Sequence, residues 1–302
     1  MRSGKYRPNF FIVGAAKCGT TSLANYLSQH PDIYIPALKE PKFFSVADNR
    51  FPHNGPGDIV SDTKVIKVQS DYESLFLPGQ NCAAKGEASV DYLYFEGVPE
   101  RIKRYNPHAK IILMLRNPAK RAFSNYLHMV RDERETFSFE DALENEEKRK
   151  AMNWEFFWLY KELGFYSSQV ERYLRCFGPD QVHIVLFEEF NKDSIRVVQD
   201  LYMVLGVDGG FKPDVSVRFN ISGVPEKKWL HRLINRPNPL KNLVSFLLPV
   251  TFRKNLGKKF LDSNLKKSEI DSITYKKLLN LYRRDIVRLQ TFIKKDVTGW
   301  LE

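Results

Sequence analysis

The sequence predicts an α/β fold: a P-loop-type central parallel β-sheet flanked by helices, with a helical, basic C-terminal part. Three observations carry this. An apolar run at residues 9–13 passes through a glycine-rich turn straight into a helical pattern over 20–29. A second run, K-I-I-L-M-L at 110–115, is apolar on both faces, as a strand covered on two sides must be. Apolar runs and helical patterns then alternate along the chain with no internal repeat, which argues for a sheet wrapped by helices.

Each element follows from its local chemistry. The first helix is closed by His30-Pro31. Residues 47–61 collect Asn, Pro, Gly and Asp and read as a mobile surface loop. After the strand at 110–115, Asn117 serves as a cap and Pro118 opens a helix to about Val130. Residues 136–150 read as one charged helix, followed by an aromatic patch at 154–160 that fits core packing or an acceptor cleft equally well. A strand at 182–187 precedes a helix ending near Gly206, and from Lys212 onward the pattern is helical and basic. Residues 268–295 form a long amphipathic pattern with Leu278, Leu281, Ile286 and Leu289 on its inner face. With no linker in sight, residues 1–302 are expected to be a single domain.

A chain of 302 residues with 43% hydrophobic and 27% charged residues can bury a substantial core and lacks the bias of a disordered protein. The net charge of +11 favours acidic partners (nucleotides, sulfated or phosphorylated ligands, nucleic acid, anionic lipid) without choosing among them. Cys18, Cys82 and Cys176 form neither a pairing framework nor a metal-ligand spacing, so they are expected as reduced thiols. The start of the chain is short, polar and basic, and the apolar stretch 243–250 is too short to span a bilayer. The expectation is a cytoplasmic protein with no transmembrane segment. None of the six histidines stands at metal-ligand spacing.

The turn after the first strand reads G-A-A-K-C-G-T-T, Gly14 to Thr21. Its glycines have the spacing of a phosphate-binding loop, in the strand–loop–helix context such a loop needs. Inward-pointing amides and a helix N-terminus make an anion site, here with Lys17, Cys18, Gly19, Thr20, Thr21 and Ser22 as its candidate residues. A nucleoside-triphosphate loop has lysine directly after the second glycine; this one has Thr20 there, with its lysine inside the loop at Lys17. The strand at 110–115 is followed by Arg116, where many such NTPases place a metal-binding aspartate. Both departures favour an anion site without a metal.

The stretch F-F-I-V-G-A-A-K-C-G-T-T-S-L-A-N-Y-L-S-Q-H-P resembles the 5′-phosphosulfate loop of sulfotransferases that use 3′-phosphoadenosine 5′-phosphosulfate (PAPS). It is most similar to the branch containing the heparan sulfate sulfotransferases and many bacterial relatives. K-I-I-L-M-L-R-N-P-A-K-R-A-F-S-N-Y resembles the 3′-phosphate element of that family, which implies Arg116 and Ser124 as the pair that grips the phosphate. The K-E-P-K-F-F string resembles a K-E-P-x-F-F segment whose glutamate is the proposed base, which implies Glu40. Further similarity lies in G-E-A-S-V-D-Y (86–92), G-F-Y (164–166), F-E-E-F (187–190) and Y-R-R-D-I (282–286), so the resemblance spans nearly the whole chain.

Two departures stand out. Some relatives carry a catalytic lysine where this chain has Ala88, leaving Lys39 or Lys85 to take its place. The cytosolic aryl enzymes use a histidine base in a region that holds none here. The resemblance therefore implies in-line sulfuryl transfer from PAPS to a small-molecule, lipid or saccharide acceptor, with 3′,5′-adenosine bisphosphate as product. Lys17 and Glu40 are then the catalytic residues, with no metal and no nucleic-acid partner. The rival readings are a P-loop small-molecule kinase and a non-catalytic polyanion-binding module.

Overall fold

Five consecutive apolar residues cannot sit at the surface, and strand β1 (Phe10–Gly14) is buried along its whole length. The computed structural model describes residues 6–217 and 268–302, together with the backbone of two short strands at 224–225 and 265–266. From β1 the chain runs through helix α1 (Thr20–Leu27) to β2 (Ile33–Tyr34), then through the short helices α2 (Asp58–Asp62) and α3 (Gln69–Ser74) to β3 (Ala84–Ala88). Helix α4 (Val98–Tyr105), strand β4 (Lys110–Leu115) and helix α5 (Pro118–Arg131) follow. Next come α6 (Phe139–Glu144), α7 (Glu146–Ala151), α8 (Tyr166–Phe177), β5 (Val182–Leu186), α9 (Phe187–Lys192) and α10 (Ser194–Leu205). A small antiparallel pair, β6 (Val224–Pro225) with β7 (Leu265–Lys266), precedes α11 (Ser272–Gln290).

The main sheet is parallel, in the order β2-β3-β1-β4-β5. Strand β1 pairs with β3 on one side (Phe10 opposite Gly86) and β4 on the other (Phe10 opposite Lys110). The chain goes from β1 to the edge strand β2, returns to place β3 between them, then crosses over to add β4 and β5. A reversal of this kind leaves a crevice at the carboxyl ends of the strands, where α/β proteins bind ligands. The register slips between Ile12 and Gly14, and there the Leu93 amide donates to the Val13 carbonyl (2.8 Å) while the Ala15 amide donates to that of Met114 (2.7 Å). These two bonds tie the end of β1 to the chain that follows β3 and the start of the loop to β4.

The α/β expectation holds, and the strand at 110–115 and the Asn117 cap stand as expected: Asn117 Oδ1 accepts the Lys120 amide at 3.0 Å. Other expectations need correction. The helix after β5 is two helices, because Asp193 breaks the first and caps the second through the Arg196 amide (3.0 Å). The charged helix at 136–150 is also two, α6 and α7, meeting at Asn145. Just after the break, buried Glu146 accepts the Lys161 and Glu162 amides at 2.6 and 2.8 Å, tying α7 to the chain at 161–162. In α11 the inner face holds Leu278, Leu279, Tyr282, Ile286 and Leu289, whereas Leu281 is 45% exposed. The helical pattern expected from Lys212 onward falls for residues 218–267 outside the described side chains, and so does the apolar stretch 243–250. No helix among the described residues is long and apolar enough to cross a membrane.

The largest correction concerns residues 47–61, expected as a mobile loop. Asp58 is wholly buried, and its carboxylate anchors the segment. It accepts the Gly55 amide (2.7 Å), the Glu155 amide (3.0 Å), the Trp158 indole N–H (2.9 Å) and the Arg134 guanidinium. One acid thus closes its own turn and docks it on the aromatic segment around Trp158. Removing one partner of a buried, hydrogen-bonded ion pair strands the others, which costs about 3–5 kcal/mol. Asp58→Ala is therefore expected to lower the urea unfolding free energy by about that amount. A loss below about 1 kcal/mol, as at a surface ion pair, would show that the segment is not anchored.

Candidate functional site

At the carboxyl ends of β1 and β4 lies a cleft of about 850 Å³. Its walls include Lys17, Gly19, Thr20, Thr21 and Ser22 from the first loop and helix, and Arg116 and Ser124 from the end of β4 and α5. The strand-to-helix turn is shaped by its glycines. A side chain at Gly14 would meet Leu93 Cβ at 2.7 Å and the Val90 carbonyl at 3.1 Å. Gly19, just before α1, takes a left-handed φ of +95°, and a side chain there would press on Met114 (3.1 Å) and Phe187 (3.2 Å). Helix α1 carries no acidic residue in its first turn, so the positive potential of its N-terminus is not neutralised from within.

Lys17 takes a left-handed backbone conformation (φ +68°) and is half-buried. Burial, with Arg131 and Lys39 adding like charge, brings its ammonium down to about 7. Arg116 donates to the Lys17 carbonyl (3.4 Å) and lies over the Phe187 ring at 4.5 Å. Ser124 is 4% exposed and sits two turns along α5 on the side facing the cleft. The Cys18 side chain points away from the cleft. Its thiol is buried, 3.8 Å from the Tyr166 hydroxyl, and burial pushes it up to about 11. It does not line the cleft, because the turn that aims Lys17 outward sends the next side chain into the core.

A second group of residues closes the other flank. The Lys39 ammonium donates to Thr21 Oγ1 (2.8 Å) and lies 3.5 Å from Glu40 Oε1, so the K-E-P-K-F-F segment is joined to the first turn of α1. Glu40 and Lys42 both have left-handed backbones (φ +57° and +54°), which turn the chain sharply at the cleft wall. Lys42 Nζ donates to Ser61 Oγ at 3.1 Å and lies 5.7 Å from the centre of the Phe157 ring. Burial opposes its charge, but Asp91 and Glu155 outweigh burial and raise its pKa. Of the two lysines weighed against Ala88, Lys39 lines the cleft, whereas Lys85 donates to the Cys82 carbonyl and does not. The aromatic patch at 154–160 divides: Phe157 lines the cleft, while Trp158 and Tyr160 are core.

Sequence reasoning passed over Lys42 and His128. His128 lines the cleft one turn beyond Ser124, and its Nδ1 accepts from Arg131 at 2.7 Å. Burial, with the charges of Lys17 and Arg131, depresses it to about 2, so the ring is neutral. Its position four residues after Ser124, on the same face of α5, was the signal available. With Lys17, Lys39, Lys42, Lys64, Arg116 and Lys192 against Glu40 and Asp193 on its walls, the cleft is built for an anion beside a carboxylate.

Behind this wall lies a buried carboxyl, Glu87, 1% exposed. It accepts from Tyr72 (2.9 Å), Tyr92 (2.7 Å) and Ser89 (2.6 Å). Burial outweighs the three donors and pushes it up to about 7.

A family model described as sulfotransferase domain matches residues 7–214, well over half of the chain. Among curated proteins, the mouse bifunctional heparan sulfate N-deacetylase/N-sulfotransferase 3 is 28% identical over 221 residues, covering 70% of this chain and 24% of its own length. The mouse heparan sulfate glucosamine 3-O-sulfotransferase 3B1 is 28% identical over 199 residues, covering 65% of this chain and 46% of its own. The chain thus spans 24% and 46% of the length of these two relatives. A crystal structure of a sulfotransferase from Alicyclobacillus acidocaldarius is 40% identical with a TM-score of 0.79, covering 98% of this chain and 99% of that one.

The Glu87 carboxyl also makes stability depend on pH. An acid raised in the folded state keeps a proton that the unfolded chain releases near 4.5. Its contribution is full below about pH 4.5 and is lost as pH rises through about 7. Urea midpoints across that range are expected to fall less steeply in Glu87→Gln than in the parent. Parallel profiles would place the Glu87 carboxyl at its ordinary value.

Proposed function

This chain belongs to the sulfotransferase-domain family, and we propose that it moves a sulfuryl group from PAPS to an acceptor hydroxyl or amine. The observation that carries the proposal is the convergence of Lys17, Thr20, Thr21, Arg116, Ser124 and Glu40 on one cleft from three distant stretches of chain. The first loop and the start of α1 suit the 5′-phosphosulfate, and Arg116 with Ser124 suits the 3′-phosphate. On the other flank Lys42, Ser61, Lys64 and Phe157 leave room for the acceptor beside Glu40. The reading takes residues 1–302 as one domain, and the three free cysteines suit a cytoplasmic setting.

In this reading the acceptor oxygen or nitrogen attacks sulfur in line with the bridging oxygen of the phosphosulfate. A bond from acceptor to sulfur forms, the sulfur–oxygen bond to the phosphate breaks, and its electron pair stays on the phosphate as 3′,5′-adenosine bisphosphate leaves. Glu40 takes the acceptor's proton. Lys17, with the Thr20 and Thr21 hydroxyls, stabilises charge on the departing oxygen, the electrostatic share of catalysis. Lys39, touching both Thr21 and Glu40, links the donor and acceptor halves. A heparan-type saccharide is the acceptor to test first, since both curated relatives above are named for it.

With labelled PAPS and such an acceptor, Lys17→Ala is expected to lower turnover by about two to three orders of magnitude, the scale for one preorganised donor. Near-parental turnover would remove Lys17 from the reaction. The lysine also links binding to protons. Its pKa in the free protein is near 7, and a neighbouring anion raises it, so binding takes up a proton and weakens as pH rises above about 7. Calorimetry of 3′,5′-adenosine bisphosphate in buffers of different ionisation enthalpy should reveal that uptake at pH 7.5, and Lys17→Ala should abolish it.

Arg116 is expected to make this bisphosphate bind more tightly than adenosine 5′-monophosphate by about 2 kcal/mol or more. Most of that difference should vanish in Arg116→Ala. Equal affinities in the parent protein would overturn the 3′-phosphate assignment.

A further inference from the structure

We propose that Glu87, which does not line the cleft, is the positioning residue for Glu40, acting through the hydroxyls of Ser89 and Tyr92 on the backbone of the 39–44 turn. The inference rests on the reading of Glu40 as the base.

The turn that carries Glu40 cannot hold itself. It has left-handed backbones at Glu40 and Lys42, on either side of Pro41, and such residues persist only where the surroundings over-determine them. Two of its amides are captured from outside. The Lys42 N–H donates to Ser89 Oγ (3.1 Å) and the Phe44 N–H donates to the Tyr92 hydroxyl (3.2 Å). A hydroxyl has one proton, and its oxygen meets an incoming amide with a lone pair only when that proton points elsewhere.

Here both protons point at the same carboxyl. Ser89 donates to Glu87 Oε2 (2.6 Å) and Tyr92 to Oε1 (2.7 Å), with Tyr72 as a third donor (2.9 Å). With Glu87 ionised, each hydroxyl is thus oriented as donor to it and acceptor from the turn, two relays running from one buried acid to two amides. Hydrogen bonds chained in this way polarise and strengthen one another in a low-dielectric interior. Glu87, Ser89 and Tyr92 are all within 1% of full burial, so water does not compete for these positions. The amides lie two and four residues past Glu40, close enough that a slackened turn moves its carboxylate. A misplacement of about 1 Å at a reacting group can cost about 10²-fold in rate.

The test uses variants that cut the relays singly. Ser89→Ala removes the acceptor for the Lys42 amide, and Tyr92→Phe removes that for the Phe44 amide while keeping the ring. Each is expected to lower kcat by about 10- to 100-fold, with the KM for PAPS changed less than about twofold. Combined with Glu40→Gln, neither should cost further turnover, since a base that is gone cannot be misplaced. Losses that multiply in the double variants, or single variants with parental kcat, would overturn the proposal.

Amide hydrogen exchange separates this from the assignment of the base. Ser89→Ala should speed exchange at Lys42 and Tyr92→Phe at Phe44. If Glu40→Gln turns over normally while exchange responds as stated, the base assignment fails and the anchoring of the turn stands. Unchanged exchange overturns the anchoring itself. Should Ser89→Ala fail to fold, Tyr92→Phe carries the same comparison through the other relay.

Discussion

The constraint on which the rest depends is the lack of room around the end of strand β1. The chain must leave the middle of a parallel sheet between β3 and β4, turn within a few residues, and start a helix. Leu93 packs so closely over Gly14 that a single methyl group would collide with it, and at Gly19 a left-handed backbone is needed where Met114 and Phe187 close in. Only glycine satisfies both positions. Because the turn is this tight, successive side chains are thrown to opposite sides: Lys17 outward to the cleft, Cys18 inward against Tyr166. In the proposed reading, the anion site is thus a by-product of how the central strand ends.

Having gathered cations around that turn, the protein must tolerate their mutual repulsion. It does so partly by giving up charge. Lys17 sits near 7 because it is buried beside Arg131 and Lys39, and His128 is held neutral by burial and the same group of cations. In the proposed reading, a dianion bound beside these cations would relieve their repulsion. Lys42 is treated differently, since Asp91 and Glu155 stand behind it and keep its ammonium charged. The two flanks therefore differ in kind: one is a field awaiting an anion, the other already balanced. This suits a site that takes a highly charged donor on one side and a hydroxyl or amine on the other.

The carboxyl groups divide their work in the same spirit. Glu40 lines the cleft, with the Lys39 ammonium 3.5 Å from its carboxylate. Glu87 and Asp58 are sealed in and saturated with donors, and each sits beside a turn that leads into a short helix. Asp58 pins the 55–58 turn that leads to Ser61 and Lys64, and Glu87 secures the turn bearing Glu40. Irregular segments at an active site need such internal props because no ladder of backbone hydrogen bonds supports them.

The sequence by itself determined the sheet, because fully buried strands must be written as unbroken apolar runs and a strand–loop–helix turn must be written with glycines. It marked Lys17, Thr20 and Thr21 for the same reason: each stands at a fixed offset from a strand end, so local spacing carries the information, whereas Arg116 and Ser124 were marked by resemblance to the 3′-phosphate element of the family. Glu40 was legible only through resemblance, since a K-E-P-K string has no local signature that distinguishes a base from a surface turn. What only the tertiary structure decided is everything that depends on meeting at a distance. The Lys39–Thr21 bond, the approach of Lys42 to Ser61 and Phe157, the inward turn of Cys18 and the anchoring of residues 47–61 by Asp58 are of this kind. A buried Asp in a Gly/Pro/Asn-rich stretch is written in the same letters as an exposed one, and only its partners, nearly a hundred residues away at Glu155 and Trp158, make the difference.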